Sequence, residues 1–144
     1  MIERDAIMKL IPHSGSMCVI DRALSWDGDE IRCESANHGD VHHPLRRGGI
    51  LSAVHLIEYG AQAAALHSVL AASAPTHIVA TGFLASVRAC DLHVERIDNL
   101  PGTLQIGASR EIRSSEALMY RFEISHQERS LCSGRLLIRL APGG

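Results

Sequence analysis

Residues Ile50 to Ala72 read ILSAVHLIEYGAQAAALHSVLAA, an unbroken run dominated by alanine and leucine. The apolar side chains fall on every side of a helix built from this run, not along one stripe, so the helix must be wrapped by other structure. The run is also long enough to span a bilayer. However, His55, Glu58, Gln62 and His67 interrupt it, and one ionised carboxylate at mid-bilayer costs about 3 kcal/mol. A helix buried inside a water-soluble protein explains the same letters. It is expected from about Leu51 to Ala72, ended by Ser73-Ala74-Pro75. Ala61, Ala63, Ala64 and Ala65 would let a sheet approach its backbone closely.

On either side of this helix the chain reads as strands. Met17–Trp26 and Glu30–Ala36 precede it, separated by the turn residues Asp27-Gly28-Asp29, and in the second run Ile31 and Cys33 alternate with charged neighbours. A polar loop, Asn37 to Gly49, follows and carries His38, His42, His43, Arg46 and Arg47. After Pro75 the expected strands are Ile78–Arg96, Thr103–Arg113, Ala117–His126 and Ser130–Leu140, divided by turn signals at 99–102, 114–116 and 127–129. The order β-β-α-β-β-β-β predicts an α+β fold with a long central helix wrapped by a curved antiparallel meander, the hot-dog arrangement, in a single domain over residues 1–144. One helix covers only part of such a sheet, so a dimer is expected.

Composition narrows the function classes. The chain has 144 residues with formal net charge −2, and only five aromatics, Trp26, Tyr59, Phe83, Tyr120 and Phe122. No global field draws it to nucleic acid or an anionic membrane, and a base-stacking platform lacks its aromatics. The four cysteines, at 18, 33, 90 and 132, form no C-x-x-C pair and lie in apolar stretches, which argues against a zinc ribbon or a disulfide scaffold. The N-terminal MIERDAIMKLIPHSG lacks the apolar core of a signal peptide, so a cytoplasmic, reducing location is expected.

Glu58 is the most informative residue. An isolated carboxylate in so apolar a stretch either bears a large desolvation cost or stays protonated. His55, Glu58 and Gln62 share one helix face, a narrow polar stripe on an apolar rod. The plain reading is a structural carboxylate; the sharper one is a general acid or base whose pKa is raised by burial. His43 lies fifteen positions earlier, in H-H-P-L-R-R-G-G, where a loop could bring its imidazole over Glu58. A histidine base paired with a buried carboxylic acid suits removal of a proton beside a carbonyl with departure of a β-hydroxyl. A metal bound by His38, His42 and His43 is the weaker alternative, because no helical i, i+4 pair accompanies them. His13, His77, His93 and His126 read as surface or edge residues. Gly48-Gly49 either presents backbone N–H groups to a carbonyl oxygen or is a flexible approach to the helix. Arg46 and Arg47 either meet a phosphopantetheine phosphate or acidic carrier protein, or are solvated.

Leu10 to Arg22, L-I-P-H-S-G-S-M-C-V-I-D-R, resembles the L-P-H-R-x-P-x-L-L-V-D-R opening of FabA/FabZ-type 3-hydroxyacyl-ACP dehydratases. Ile57 to Gln62, I-E-Y-G-A-Q, resembles their I-E-A-x-A-Q helix segment, and Gly82 to Arg88 is similar to the strand after it. HPLR…IEYGAQAAALH looks closer still to the small dehydratases of aryl-polyene and polyketide-type gene clusters. The resemblance implies a hot-dog dimer that removes water from a 3-hydroxyacyl thioester to give a 2-enoyl thioester, with no cofactor beyond the phosphopantetheine of the acyl carrier protein or a CoA carrying the substrate. It implies a catalytic histidine acting on the α-proton and a carboxylate, Glu58, handling the hydroxyl. The histidine is His43 by spacing, with His42 the alternative by its "H-x-P" match; Gly49 and Gln62 are the expected substrate contacts. The family's second Pro-Gly is replaced by Gly48-Gly49. A thioesterase using Glu58 as base for water, and a non-catalytic subunit paired with a related dehydratase, are the rival readings.

Overall fold

The alanine-rich run folds as a 3-10 turn at Ala53–His55 followed by the helix α2, Leu56–Leu70. Ser52 caps the turn by accepting the Val54 N–H at 3.3 Å, and Tyr59, Gly60, Gln62, Ala63, Ala64 and Leu66 are buried. The computed structural model describes residues 1–11, 15–72 and 82–140. Ahead of α2 lie β1 (Ile2–Glu3), α1 (Arg4–Leu10), β2 (Arg22–Trp26) and β3 (Glu30–Ser35). After it come β4 (Gly82–Leu92), β5 (Leu104–Arg113), β6 (Ala117–His126) and β7 (Arg129–Leu140). The strands form one antiparallel sheet in the order β1-β2-β3-β5-β6-β7-β4, and α2 packs against β3, β5, β6 and β7. One long helix on a seven-stranded antiparallel sheet is the hot-dog architecture.

At Gly60 the helix lies too close to the sheet for a side chain. A Cβ at Gly60 would lie 2.6 Å from the ring of Phe122, and one at Gly134 on β7 would lie 2.9 Å from the same ring. Phe122 on β6 thus fills a slot between α2 and its neighbouring strand that only two absent side chains leave open. The inward residues of β6, Leu118, Tyr120, Phe122 and Ile124, are buried, in the alternation the sequence predicts.

Several expectations are corrected. The first strand starts at Arg22, not Met17, because both peptide groups of Val19 are bonded to side chains instead of a neighbouring strand. The short α1 was not anticipated. The strands do not follow one another as a simple meander, since β4 lies at the far edge beside β7. β4 also ends at Leu92 and not Arg96: the backbone beyond it turns to hold the start of the helix, with Ala53 N–H bonded to Glu95 O, Ile97 N–H to Leu51 O, and Leu51 N–H to the Asp98 carboxylate. His126 is buried, not a surface residue, and its Nε2 meets the Pro101 carbonyl. Cys90 is exposed. His13, His77, Ser73-Ala74-Pro75 and the start of the expected strand at Ile78 lie outside the described residues.

Two buried histidines tie loops to the core. His67, near the end of α2, meets the Tyr120 hydroxyl with Nδ1 at 2.6 Å and the Asp27 carbonyl with Nε2 at 2.8 Å, so the β2–β3 turn is anchored to the helix. His38 donates Nε2–H to the Leu100 carbonyl at 2.8 Å, while its Nδ1 has no partner among the described residues. Burial is the main cause that lowers the pKa of both rings.

Two outcomes follow from this packing. Gly60→Ala gains about 1 kcal/mol of helix propensity, but forcing a methyl group against Phe122 costs about 1–3 kcal/mol. The variant should therefore unfold at a lower temperature than wild type; an unchanged or raised Tm would show that the ring moves freely. The second outcome concerns pH. Both histidines titrate lower folded than the ordinary 6.5, so the unfolded chain takes up protons first. Their contribution is fully present well above pH 6.5 and is lost as pH falls through and below it, so stability should drop between pH 7.5 and 5.5. Denaturant midpoints at those two pH values should show the drop, and His67→Gln should reduce it.

Candidate active site

The segment Gly15–Asp21 lies against α2 at Gln62 without being a strand, and side chains hold it there. Gln62, fully buried, donates its two amide hydrogens to Met17 O at 2.8 Å and Glu58 Oε1 at 2.9 Å, and accepts the Val19 N–H at 2.8 Å. Asn37 donates Nδ2–H to the Val19 carbonyl at 2.9 Å. From α1, Arg4 donates to Gly15 O and Cys18 O. Asp21 in turn accepts the Ala36 N–H at 2.7 Å and pairs with Arg4 at 3.5 Å.

The histidine loop closes over this frame. His43 is buried; its Nδ1 accepts the Leu45 N–H at 3.1 Å and its Nε2 lies 3.1 Å from the Tyr59 hydroxyl. Tyr59 stands next to Glu58 on α2 and donates to Asn37 Oδ1 at 2.6 Å. His43 and Glu58 are therefore joined by one hydrogen-bonded path: Tyr59, Asn37, the Val19 peptide and Gln62. Burial lowers the His43 pKa, helped by His55 and Arg46 and opposed by Asp40, so the imidazole is neutral near pH 7. Burial also raises the Tyr59 hydroxyl far above its usual range, so it stays un-ionised. A cleft of about 300 Å³, lined by Arg4, Asp21, Asn37, Asp40, His42 and His43, opens beside them.

Of the residues singled out in the sequence, Glu58 and Gln62 are in direct contact, and His43 reaches the same frame through Tyr59. His42 is exposed. Gln62 spends both amide hydrogens and its oxygen on Met17, Glu58 and Val19. Gly48 and Gly49, with φ of +60° and +79°, form a two-residue turn closed by Arg47 and Ile50. This turn is exposed and lies before the helix, and the Gly49 carbonyl accepts from Arg46 at 3.0 Å. His55 sits at the helix boundary. Among the described residues, no group of three histidine, cysteine, aspartate or glutamate side chains is close enough to hold a metal, and no helix is long and apolar enough to cross a membrane. Sequence reasoning missed Tyr59 and Asn37. The available signal was a hydroxyl-bearing aromatic in a largely apolar helix, which needs a partner when buried.

Known structures share this fold. The chain is similar to one in the dehydratase heterocomplex ApeI:P from Xenorhabdus doucetiae, at 21% identity over 94% of this chain and 91% of that one, with a TM-score of 0.83. It is also similar to thioesterase HI1161 from Haemophilus influenzae, at 14% identity over 98% and 92%, TM-score 0.68. A mutant thioesterase PA1618 from Pseudomonas aeruginosa matches at 14% identity over 85% and 81%, TM-score 0.63. No curated protein matches the chain significantly. The family model for the ApeP dehydratase matches residues 5–141, nearly the whole length, and the chain belongs to the ApeP-like family.

Proposed function

We propose that this chain is a 3-hydroxyacyl thioester dehydratase, with His43 and Glu58 as its two proton-handling groups. The observation that carries the reading is the hydrogen-bonded frame that holds a buried neutral imidazole and a helix carboxyl in fixed relation. His43 takes the proton at the α-carbon, where the neighbouring thioester carbonyl stabilises the negative charge. Glu58 gives a proton to the β-hydroxyl as it leaves. One C–H bond and one C–O bond break, a C=C bond forms, and water departs. Holding both groups before substrate arrives supplies orientation that free side chains would have to gain during reaction.

The substrate is carried on the phosphopantetheine of an acyl carrier protein or on CoA, in fatty-acid or polyene-type biosynthesis, and no further cofactor takes part. Arg46 and Arg47, beside the histidine loop, suit its phosphate. As in the ApeI:P heterocomplex, the working unit pairs this chain with a related dehydratase or with a second copy. The exposed apolar residues Val41, Ile50, Val54 and Leu92 support such pairing. The thioesterases of the same fold give the second reading, in which Glu58 activates water against the thioester.

Intact-mass analysis of a 3-hydroxyacyl carrier protein incubated with the enzyme, alone and with a related dehydratase, should show loss of one water with the thioester preserved. Glu58→Gln and His43→Ala should each stay folded and lose this activity by roughly 10²–10⁴-fold, whereas His42→Ala should keep most of it. Release of the free acid would favour the thioesterase, and near wild-type turnover by Glu58→Gln would refute the mechanism.

A further inference from the structure

The hydrogen bonds around His43 leave one consistent arrangement of protons. Asn37 must turn its Nδ2 toward Val19, because only the amide nitrogen can donate to that carbonyl, at 2.9 Å. Its Oδ1 therefore faces Tyr59, and the tyrosine hydrogen is committed to it at 2.6 Å. The tyrosine oxygen can then only accept from His43, which requires a hydrogen on Nε2. Independently, the Leu45 N–H points at Nδ1 and requires a lone pair there. Two separate constraints, one from the helix and one from the loop's own backbone, select the same tautomer.

We propose that Tyr59, held by Asn37, is the positioning residue that fixes His43 as the Nε2–H tautomer and so makes Nδ1 the nitrogen that takes the substrate proton. This rests on the dehydratase reading above. A general base needs one nitrogen with a lone pair and the other nitrogen held by an orienting group. Here Nε2–H to the Tyr59 hydroxyl is the orienting bond, and it persists when Nδ1 gains a proton and the ring becomes cationic. The Leu45 amide caps Nδ1 at rest, at 3.1 Å, so uptake of the substrate proton there requires this bond to part. Because Tyr59 does not ionise, it holds the ring without taking the Nε2 proton from it. Asn37 extends the device to Val19, the peptide that Gln62 grips from the other side, so the base and the Glu58 carboxyl share one support.

The test combines side-chain ¹H–¹⁵N correlation spectra of the full chain with steady-state kinetics on a 3-hydroxyacyl pantetheine thioester. Wild type should show His43 as the Nε2–H tautomer. Tyr59→Phe keeps the buried ring and removes the hydroxyl. With only the Leu45 amide left to select the tautomer, an Nδ1–H fraction should appear beside Nε2–H. The kcat should fall about tenfold or more with KM within about twofold, as for an interaction that orients the reacting group without binding substrate. Asn37→Ala, a second variant should Tyr59→Phe fail to fold, frees the tyrosine hydrogen to turn onto Nε2, so an Nδ1–H form should appear. An Nδ1–H tautomer in wild type would overturn the inference, as would variants that fold and leave both tautomer and kcat unchanged. The tautomer is read without turnover. A wild-type protein with Nε2–H that dehydrates nothing, alone or with a related dehydratase, would therefore sink the dehydratase reading and not the tautomer assignment.

Discussion

The amide of Gln62 is the point on which the candidate site depends. Fully buried, it joins two pieces of chain that are far apart in sequence: the irregular N-terminal segment, through Met17 and Val19, and its own helix, through Glu58 one turn back. Cutting any of these bonds leaves a buried polar group unpaired, at about 1–3 kcal/mol each, whereas the net gain from making one is only about 1 kcal/mol. Such a network therefore rewards completeness and specifies one arrangement more than it adds stability. With Val19 fixed, Asn37 has its partner, and through Asn37 so do Tyr59 and His43.

This frame works only because the helix sits at a set height above the sheet. Phe122 lodged between Gly60 and Gly134 brings α2 closer to β6 than any side chain at those positions would allow. Glu58, Tyr59 and Gln62 flank that contact on the helix, so the packing of one aromatic ring determines where three polar groups present themselves. At the other end of the helix, His67 and Tyr120 anchor the β2–β3 turn in the same manner. The apolar rod is thus held by a polar knot at each end.

Much of this was legible in the sequence, and what was not has physical causes. The helix could be read because an alanine- and leucine-rich run carries its preference locally, and β6 because strict alternation marks a strand with one buried face. Glu58 stood out because a carboxylate in apolar surroundings demands a reason. The far-edge position of β4 was illegible because strand order depends on long-range pairing that local pattern does not encode. The burial of His38 and His126 was likewise hidden, since their partners are the backbone carbonyls of Leu100 and Pro101, more than twenty residues away. Tyr59 was overlooked because its hydroxyl acts on a loop sixteen positions earlier. Gly48-Gly49 read as equally suited to binding or to flexibility, and local sequence could not separate either from a tight exposed turn.

The central claim is that the frame around Val19 serves reversible proton transfer at the carbon beside a thioester, and running the reaction backward in heavy water tests it most directly. A 2-enoyl thioester incubated with the protein, and with a related dehydratase where pairing is needed, should gain one carbon-bound deuterium at the α-position as it is hydrated. Its thioester should remain intact, and Glu58→Gln should abolish the gain. Release of free thiol with no deuterium on carbon would contradict the account and leave hydrolysis of the thioester as the reaction this site performs.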